Sequence, residues 1–252
     1  MESFTLTRKE MSSLLLSLQG VQRQSPLAIL QAAWSHSHGS AGEAADSMQA
    51  ILSLDMPHII KKLIQGQPFA GFSLQEIADL GHLIEHSNIS ITSIQNWVKR
   101  DFKELFASMK EGRKYSVNQA ALMFMIDDLK CTLDFVSIRT LFESLFRDRH
   151  ERIDPIQIYH AYAGMFEELD ANNDQLFDVA GHASAGGAPD ALLEQLVKTT
   201  ADRKAQEWAL SGPCRKAVSN GLVIAVLSVQ ASYLQDIAKR YYTANVFLQF
   251  ES

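Results

Sequence analysis

The stretch FSLQEIADLGHLIEHSNISITSIQNWVKRD, residues 72–101, decides the fold of this chain. Ser73 stands where a helix N-cap is expected, because its hydroxyl can accept a hydrogen bond from a free backbone N–H of the first turn. The apolar residues after it recur at helical spacing and predict a helix to about Glu85. Ser90 caps a second helix, which we expect to run to about Asp101. A short turn joins the two helices.

The second of these helices has two unlike faces. The side that we expect to be buried is apolar and consists of Ile91, Ile94, Trp97 and Val98. The other side is polar and basic and carries Thr92, Ser93, Gln95, Asn96, Lys99 and Arg100. Two short helices joined by a tight turn, the second with an exposed polar face, have the shape that a DNA major groove about 12 Å wide accepts. The pattern therefore predicts a helix-turn-helix whose second helix reads the groove.

The polar side of that helix carries the functional groups of a DNA recognition helix. The amides of Gln95 and Asn96 can pair bidentately with adenine, and the two hydroxyls on the same side can bond to base edges. Lys99 and Arg100, at the end of the helix, can neutralise phosphates. The residues expected to bind DNA are Thr92, Ser93, Gln95, Asn96, Lys99, Arg100, Lys103, Arg113, Lys114 and Tyr115.

Positive charge is concentrated next to this helix, although the chain as a whole is acidic. The 252 residues include 23 Lys and Arg against 29 Asp and Glu, a net charge of -6, so no global basic field attracts a polyanion. Within residues 90–115, however, basic side chains outnumber acidic ones by six to three. Gly112, Arg113, Lys114 and Tyr115 are predicted to form a hairpin wing that lies along the DNA backbone. Any nucleic-acid surface must therefore be local.

An ordinary helical hairpin with a solvated polar face accounts for the same pattern, because helix-turn-helix shapes are common in helical bundles. Trp97 lies on the apolar side of its helix, where it is expected in the core rather than as a platform for stacking bases. The residues alone leave both interpretations open.

Residues 72–147 resemble the winged helix-turn-helix of the mercury-resistance-type (MerR) regulators. The likeness is carried by FSLQEIA at 72–78 for the first helix, ISITSIQNW at 89–97 for the recognition helix, RKYS at 113–116 for the wing strand and LDFVSI at 133–138 for the fourth helix. More closely, QNWVKRD at 95–101, KYS at 114–116 and DLK at 128–130 are similar to an uncharacterised bacterial family, a domain of unknown function thought to include regulators. This second likeness covers about residues 55–165.

Two departures from the MerR pattern limit what the resemblance implies. Thr92 stands where the recognition helix of that family usually has arginine, and the chain after Arg147 is expected to lack the long heptad helix that pairs MerR subunits. The resemblance therefore implies a surface that docks in the groove. It does not imply the operator, the promoter-twisting mechanism or the dimer geometry.

Residues that start and end helices occur along almost the whole chain, whereas the alternation of polar and apolar residues that is typical of strands is almost absent. This predicts an all-α protein, a helical bundle with a central MerR-like winged helix-turn-helix, in which the wing would be a small β-hairpin. We divide the chain into an N-terminal helical segment at 1–54, a winged helix-turn-helix DNA-binding domain at 55–165 and a C-terminal helical dimerisation or effector region at 166–252.

No pattern in the chain indicates a catalytic, metal or cofactor site. Residues 170–181 resemble the opening of an EF-hand, but Gln175 and Gly181 stand where that loop needs glycine and glutamate. His82 and His86 lack a third ligand at suitable spacing. A phosphate-binding loop, a nucleophile elbow and paired catalytic carboxylates are also missing from the sequence. We therefore expect no enzyme activity, no metal and no cofactor.

The sequence predicts a cytoplasmic protein that does not contact a membrane. Its two cysteines, Cys131 and Cys214, suit a reducing compartment. The longest apolar candidate, residues 222–229, is far shorter than the roughly 18 residues of a membrane helix, and we find no signal peptide.

Together these features predict a sequence-specific DNA-binding transcriptional regulator that binds double-stranded DNA as a homodimer. An unidentified small molecule or protein effector is a further expected partner. The alternative is a helical protein–protein interaction module without DNA binding, which would hold its partner through the same polar surface or through the C-terminal helices.

Overall fold

A computed structural model of the protein describes residues 4–38, 56–107, 114–146, 153–171 and 189–250. Within these ranges the chain forms eleven α-helices and no strand, so the predicted all-α class is confirmed. The helices are α1 (Arg8–Leu18), α2 (Pro26–His38), α3 (His58–Ile64), α4 (Leu74–Gly81), α5 (Ile91–Asn96), α6 (Lys103–Ala107), α7 (Val117–Leu129), α8 (Phe135–Phe146), α9 (Pro155–Ala171), α10 (Pro189–Gln206) and α11 (Gly212–Phe250). A π-helical turn, Trp97–Asp101, lies between α5 and α6.

The helix starts predicted at Ser73 and Ser90 are confirmed, because each hydroxyl accepts a hydrogen bond of 3.1 Å from a backbone N–H of its helix's first turn. Other helices begin in the same way. At the start of α1 the Thr7 hydroxyl accepts a hydrogen bond from the Glu10 N–H at 3.1 Å, and the Glu10 carboxylate accepts one from the Thr7 N–H at 2.8 Å. Ser116 and Gln119 exchange the same two bonds before α7, at 3.3 and 2.9 Å. These side chains satisfy N–H groups that have no partner inside a helix, so local sequence is enough to place the start.

The end of α4 differs from the prediction. The helix stops at Gly81 instead of continuing to about Glu85. The reason is a parallel bridge between the N-terminal segment and the turn after α4, in which the Leu6 N–H donates to the Leu83 carbonyl at 2.7 Å. The Glu85 N–H donates in turn to the Leu6 carbonyl at 3.0 Å. Backbone groups that would extend the helix are thus used by a segment nearly 80 residues away in sequence.

Gly81 brings α4 and the turn before α5 very close together. A Cβ atom added at Gly81 would collide with the Ile89 side chain and would lie 3.4 Å from Cε1 of Phe124. Ile89 and Phe124 are both buried. The missing side chain at this position therefore determines how closely the two helices of the predicted helix-turn-helix approach.

The chain divides into two compact units, the first from residues 1–127 and 154–160 and the second from residues 128–153 and 161–252. The core of the first unit is apolar and includes Leu6, Leu15, Ile77, Ile94, Phe102, Phe106 and Leu122. Each unit is built from two separate parts of the chain, so its limits do not follow the linear boundaries at 54 and 165. Those boundaries stay predictions.

In the second unit, the longest described helix packs against α8 and α10. This helix, α11, has 39 residues. Its buried side chains include Val218, Leu222, Ala225, Val226 and Val229. The helix continues through Gly221, where α8 packs closely against it. A Cβ atom at this position would lie 3.0 Å from the Leu145 side chain of α8. Close packing outweighs the poor helix propensity of glycine there.

The stretch Gly212–Val246 of α11 is long and apolar enough to cross a membrane by length and composition alone. Its most apolar window has a mean hydropathy of 1.5, and 44% of that window is buried. The candidate at 222–229 is shorter than this stretch because a mean over 18 residues tolerates the polar residues that end a local apolar run. Core helices of soluble proteins pass the same test, so the cytoplasmic location stays a prediction.

The N-cap of α4 makes the stability of the first unit depend on pH. Burial by itself would raise the pKa of the Glu76 carboxyl, but hydrogen bonds from the Ser73 N–H at 2.8 Å and from Lys62 Nζ at 2.9 Å outweigh it and hold this pKa below its ordinary value. A carboxyl with a lowered folded-state pKa stabilises the fold above its unfolded-state pKa of about 4.3. That stabilisation is lost as the pH falls through the folded-state value.

We expect Glu76→Gln to lower the free energy of unfolding by about 1 kcal/mol at neutral pH, because glutamine keeps the cap but loses the ion pair with Lys62. The loss should shrink as the pH falls below about 4, where the wild-type carboxyl is also neutralised. Urea unfolding at a series of pH values measures both effects. Glu104→Gln, at an exposed acid of the same unit, should change stability little at any pH, and a pH-independent loss for Glu76→Gln would contradict the assignment.

Candidate nucleic-acid interface

Helix α5 presents the two faces that the sequence predicts. Its N-cap is Ser90, whose hydroxyl accepts a hydrogen bond from the Ser93 N–H at 3.1 Å. Ile94 is fully buried, whereas Thr92 and Gln95 are exposed. Thr92 and Gln95 are three residues apart, so their side chains lie on one side of the helix. An exposed hydroxyl and an exposed amide thus stand over an apolar face that attaches the helix to the core.

Two other predicted base-reading residues are less accessible. Ser93 is half-buried, and its hydroxyl lies 2.9 Å from the Ser90 hydroxyl, so it belongs to the capping arrangement. Asn96 is half-buried at the last position of α5. The structure therefore leaves Thr92 and Gln95 as the side chains of α5 that are most open to a ligand.

The chain after α5 leaves the α-helical path. The predicted helix to Asp101 ends at Asn96 and continues as the π-helical turn, closed by a hydrogen bond of 2.8 Å from the Phe102 N–H to the Trp97 carbonyl. This wider turn brings Trp97 and Phe102 to the same side, where both are buried, and confirms Trp97 as a core residue. π-Helical turns are rare and recur at functional sites. Here Lys99 and Arg100 face outward, while Val98 is buried with Trp97.

Three cations occupy this outward side. Lys99, Arg100 and Lys103 are all exposed, and none of them forms an ion pair with another described residue. One acid, Asp101, lies between them in sequence, and a second, Glu104, follows Lys103. Of the other basic residues in the predicted cluster, Lys110 and Arg113 lie outside the described residues, whereas Lys114 is described and exposed.

The predicted wing is represented by one antiparallel bridge. The Phe72 N–H donates to the Tyr115 carbonyl at 2.8 Å, and the Tyr115 N–H donates to the Phe72 carbonyl at 2.7 Å. The described residues form no β-hairpin, so the expected hairpin form of the wing is not seen among them. The bridge places the exposed Lys114 beside the start of α4, and burial raises the pKa of the Tyr115 hydroxyl, which keeps it a neutral donor.

Gly71 allows this bridge to form. Its φ is +99°, a conformation that residues with a side chain rarely adopt, and an added Cβ atom would lie 3.0 Å from both Cβ of Lys114 and the Tyr115 carbonyl oxygen. A glycine one residue before the bridge therefore lets the segment before α4 lie against the segment before α7.

Sequence analysis missed the contacts that hold the turn between α4 and α5. Besides the bridge at Leu6, the Arg8 guanidinium donates to the Glu85 carbonyl at 3.0 Å, and the Ser87 hydroxyl donates to the Asp127 carboxylate at 2.9 Å. Each joins residues 40 or more positions apart, so no local pattern signals it. Together they attach the turn on two sides, which positions α5.

A second polar cluster was also missed. The Lys9 ammonium lies 3.0 Å from Nε2 of His160, and the Ser12 hydroxyl lies 2.8 Å from Nδ1 of the same ring. The Ser12 hydroxyl also donates to the Lys9 carbonyl, and Ser12 is fully buried. The cluster joins α1 to α9 within the first unit.

Metal binding finds no support in the part of the chain that the structure describes. There, no group of three or more His, Cys, Asp or Glu side chains is arranged to hold an ion. The EF-hand-like run at 170–181 lies almost entirely outside the described residues.

The comparisons with known proteins cover this region. A family described as "Domain of unknown function (DUF1836)" matches residues 72–163, a range that contains α4, α5, the π-helical turn and the Phe72–Tyr115 bridge. The chain is also 29% identical over 247 residues to "Uncharacterized protein YkrK" of Bacillus subtilis (strain 168), with 95% of this chain and 97% of that protein covered. No solved structure matches the chain.

Proposed function

We propose that the protein is a sequence-specific DNA-binding regulator of transcription and that α5 enters the major groove. One observation carries the proposal: the exposed polar side of α5 continues directly into three exposed cations, while the opposite side is buried. Base contacts need an accessible amide or hydroxyl on a rigid element, and phosphate contacts need cations beside it. Both requirements are met between Thr92 and Lys103.

The proposed roles follow from exposure. Gln95 can donate and accept two hydrogen bonds at an adenine edge, and Thr92 can contact either a base oxygen or a thymine methyl group. Lys99, Arg100 and Lys103 would bind phosphates and so supply affinity for any duplex. Because the whole chain carries a net charge of -6, this affinity must come from the local cations.

The π-helical turn and Lys114 extend the proposed contact surface. The turn aims Lys99 and Arg100 away from the core, and the Phe72–Tyr115 bridge keeps Lys114 close to the start of α4. Arg113 stays a proposed backbone contact on the evidence of the sequence alone.

Substituting one phosphate-binding and one base-reading residue tests these roles. We expect Lys99→Ala to weaken binding to all duplexes alike and to reduce the slope of log K against log salt by about 0.9, because one fewer counterion is released. Gln95→Ala should cost about 1 to 3 kcal/mol on the preferred site only. Genomic fragments selected by the wild-type protein supply that site, and binding is measured by gel shift over a range of salt concentrations.

Matched controls are available on α10. Lys198 and Gln195 are both exposed there, so Lys198→Ala and Gln195→Ala repeat the same chemical changes on a helix that is not part of the proposed interface. Neither should alter affinity or salt slope. If Lys99→Ala and Gln95→Ala lowered binding equally on every duplex, the division of roles would be wrong.

If the wild-type protein bound no duplex at low salt, the proposed function would be wrong. The competing function is the helical protein-interaction module, in which the same surface holds a protein partner. Such a module would show none of the steep salt dependence that counterion release from a duplex produces.

A further inference from the structure

The second half of α11 carries an exposed apolar stripe. Large apolar side chains recur there every seven residues, at Leu227, Leu234 and Tyr241, and they are 39%, 55% and 77% exposed. Monomeric soluble proteins rarely expose a large contiguous apolar patch, and a row of large apolar side chains along one side of a helix indicates a contact surface. The stripe begins where α11 leaves the core of the second unit.

Small or polar residues fill the positions between the large ones. Four residues after each large side chain stands Ala231, Ala238 or Asn245, and all three are exposed or half-exposed. Steps of four and three residues give the a and d positions of a heptad repeat, with the large residues at d. Six such positions cover nearly three heptads, or about 27 Å at a rise of 1.5 Å per residue.

The opposite side of the same half-helix is charged. Asp236, Lys239 and Arg240 lie there, with Arg240 Nε 4.0 Å from the Asp236 carboxylate. A helix in the hydrocarbon of a bilayer must be apolar on its whole surface, because charged side chains there are expensive. The stripe is confined to one side, which favours pairing with another helix over insertion in a membrane.

The sizes of the side chains favour a second copy of α11 running in the opposite direction. In an antiparallel pair, a positions face d positions of the other helix. Centring the pair on residue 236 sets Leu234 against Ala238, Tyr241 against Ala231 and Leu227 against Asn245. Every layer then combines one large and one small side chain, which is how facing positions interdigitate. A parallel pair would instead stack tyrosine on tyrosine and leave voids at the alanines.

We propose that the protein forms a two-fold symmetric dimer through this stripe, with the α11 helices of the two copies antiparallel. Two-fold symmetry brings the same surface of each copy together, so a self-complementary stripe suffices. The six seam positions are far fewer than the roughly 20 to 30 residues a side of a standard interface, so the dimer should dissociate at low concentration. This proposal does not depend on DNA binding.

Sedimentation of the full chain without DNA tests the dimer. The wild-type protein should shift from monomer to dimer with rising concentration, and Leu234→Glu should remain monomeric at concentrations where the wild type is dimeric. Val136→Glu is the matched control, because Val136 is also in the second unit and is 61% exposed but lies on α8 and is not part of the stripe. Circular dichroism confirms that both variants are folded.

A spin label at Asn245→Cys tests the direction of the helices, with Cys131 and Cys214 replaced by serine. In the antiparallel dimer the two labelled positions lie near opposite ends of the paired segment, on the order of 27 Å apart. A wild-type protein that stays monomeric, a dimer that survives Leu234→Glu, or labels in close contact would each overturn the proposal. So would binding of the wild type, but not of Leu234→Glu, to neutral lipid vesicles, which would assign the stripe to a membrane surface.

Discussion

Replacing Gly81 by alanine is expected to lower the free energy of unfolding of the first compact unit by about 2 to 3 kcal/mol. Gly81 has right-handed helical backbone at the end of α4, where alanine would ordinarily be the better residue by about 0.5 to 1 kcal/mol. Here the substitution is destabilising instead, because the added methyl group would overlap the Ile89 side chain. Ile89 is itself enclosed in the core and cannot easily move away. This overlap can be relieved only if α4 or the turn before α5 moves.

A double-mutant cycle with Ile89→Ala isolates this contact. Ile89→Ala alone should cost about 2 to 5 kcal/mol, because it leaves a cavity, but it also removes the atoms that Gly81→Ala would strike. Adding Gly81→Ala to that background should therefore cost less than in the wild type, and urea unfolding of the four proteins gives the coupling energy. Gly212→Ala, where an added Cβ meets nothing within 4 Å, is the control and should be nearly neutral. Strict additivity would refute the clash.

The second large effect is expected from reversing the charge after α5. The double variant Lys99→Glu with Arg100→Glu should bind any duplex at least about 100-fold more weakly at moderate salt, because two phosphate contacts are lost and two repulsions are added. Both side chains are exposed and form no ion pair with a described residue, so stability should change by no more than about 0.5 kcal/mol.

The control for this variant must change the net charge by the same amount. Lys198→Glu with Lys216→Glu does so at two exposed lysines of the second unit, and only a modest loss through long-range repulsion is expected. Gel shifts of both double variants with random duplexes, together with thermal melts, complete the comparison. Equal losses in the two variants would mean that net charge governs binding and that the surface after α5 has no special part in it.

Much of the fold could be predicted because its signals are local. A cap at Thr7, Ser90 or Ser116 requires only side chains within three residues, so each of these helix starts follows from the sequence. The buried side of α5 was predictable for a similar reason, since helical spacing alone separates Ile94 and Trp97 from Thr92 and Gln95.

The helix ends and the exposure of individual site residues were less predictable. The α4 helix stops early because Leu6 takes up the backbone groups of the following turn, and no pattern near Gly81 contains that information. The π-helical turn likewise follows from burying Trp97 and Phe102 together. Ser93 and Asn96 looked equivalent to Thr92 and Gln95 in sequence, but the cap and the end of the helix make them less accessible.

What the sequence determined by itself is the set of helices with capped starts, the polar and apolar sides of α5, and the cations that follow it. These depend on hydrogen bonds and side-chain directions within one or two turns. Tertiary structure alone decided where α4 ends, how closely the turn at Ile89 approaches Gly81, and which part of α11 remains exposed. Such features depend on which distant segments compete for the same backbone groups and the same space, and that competition is resolved only when the whole chain packs.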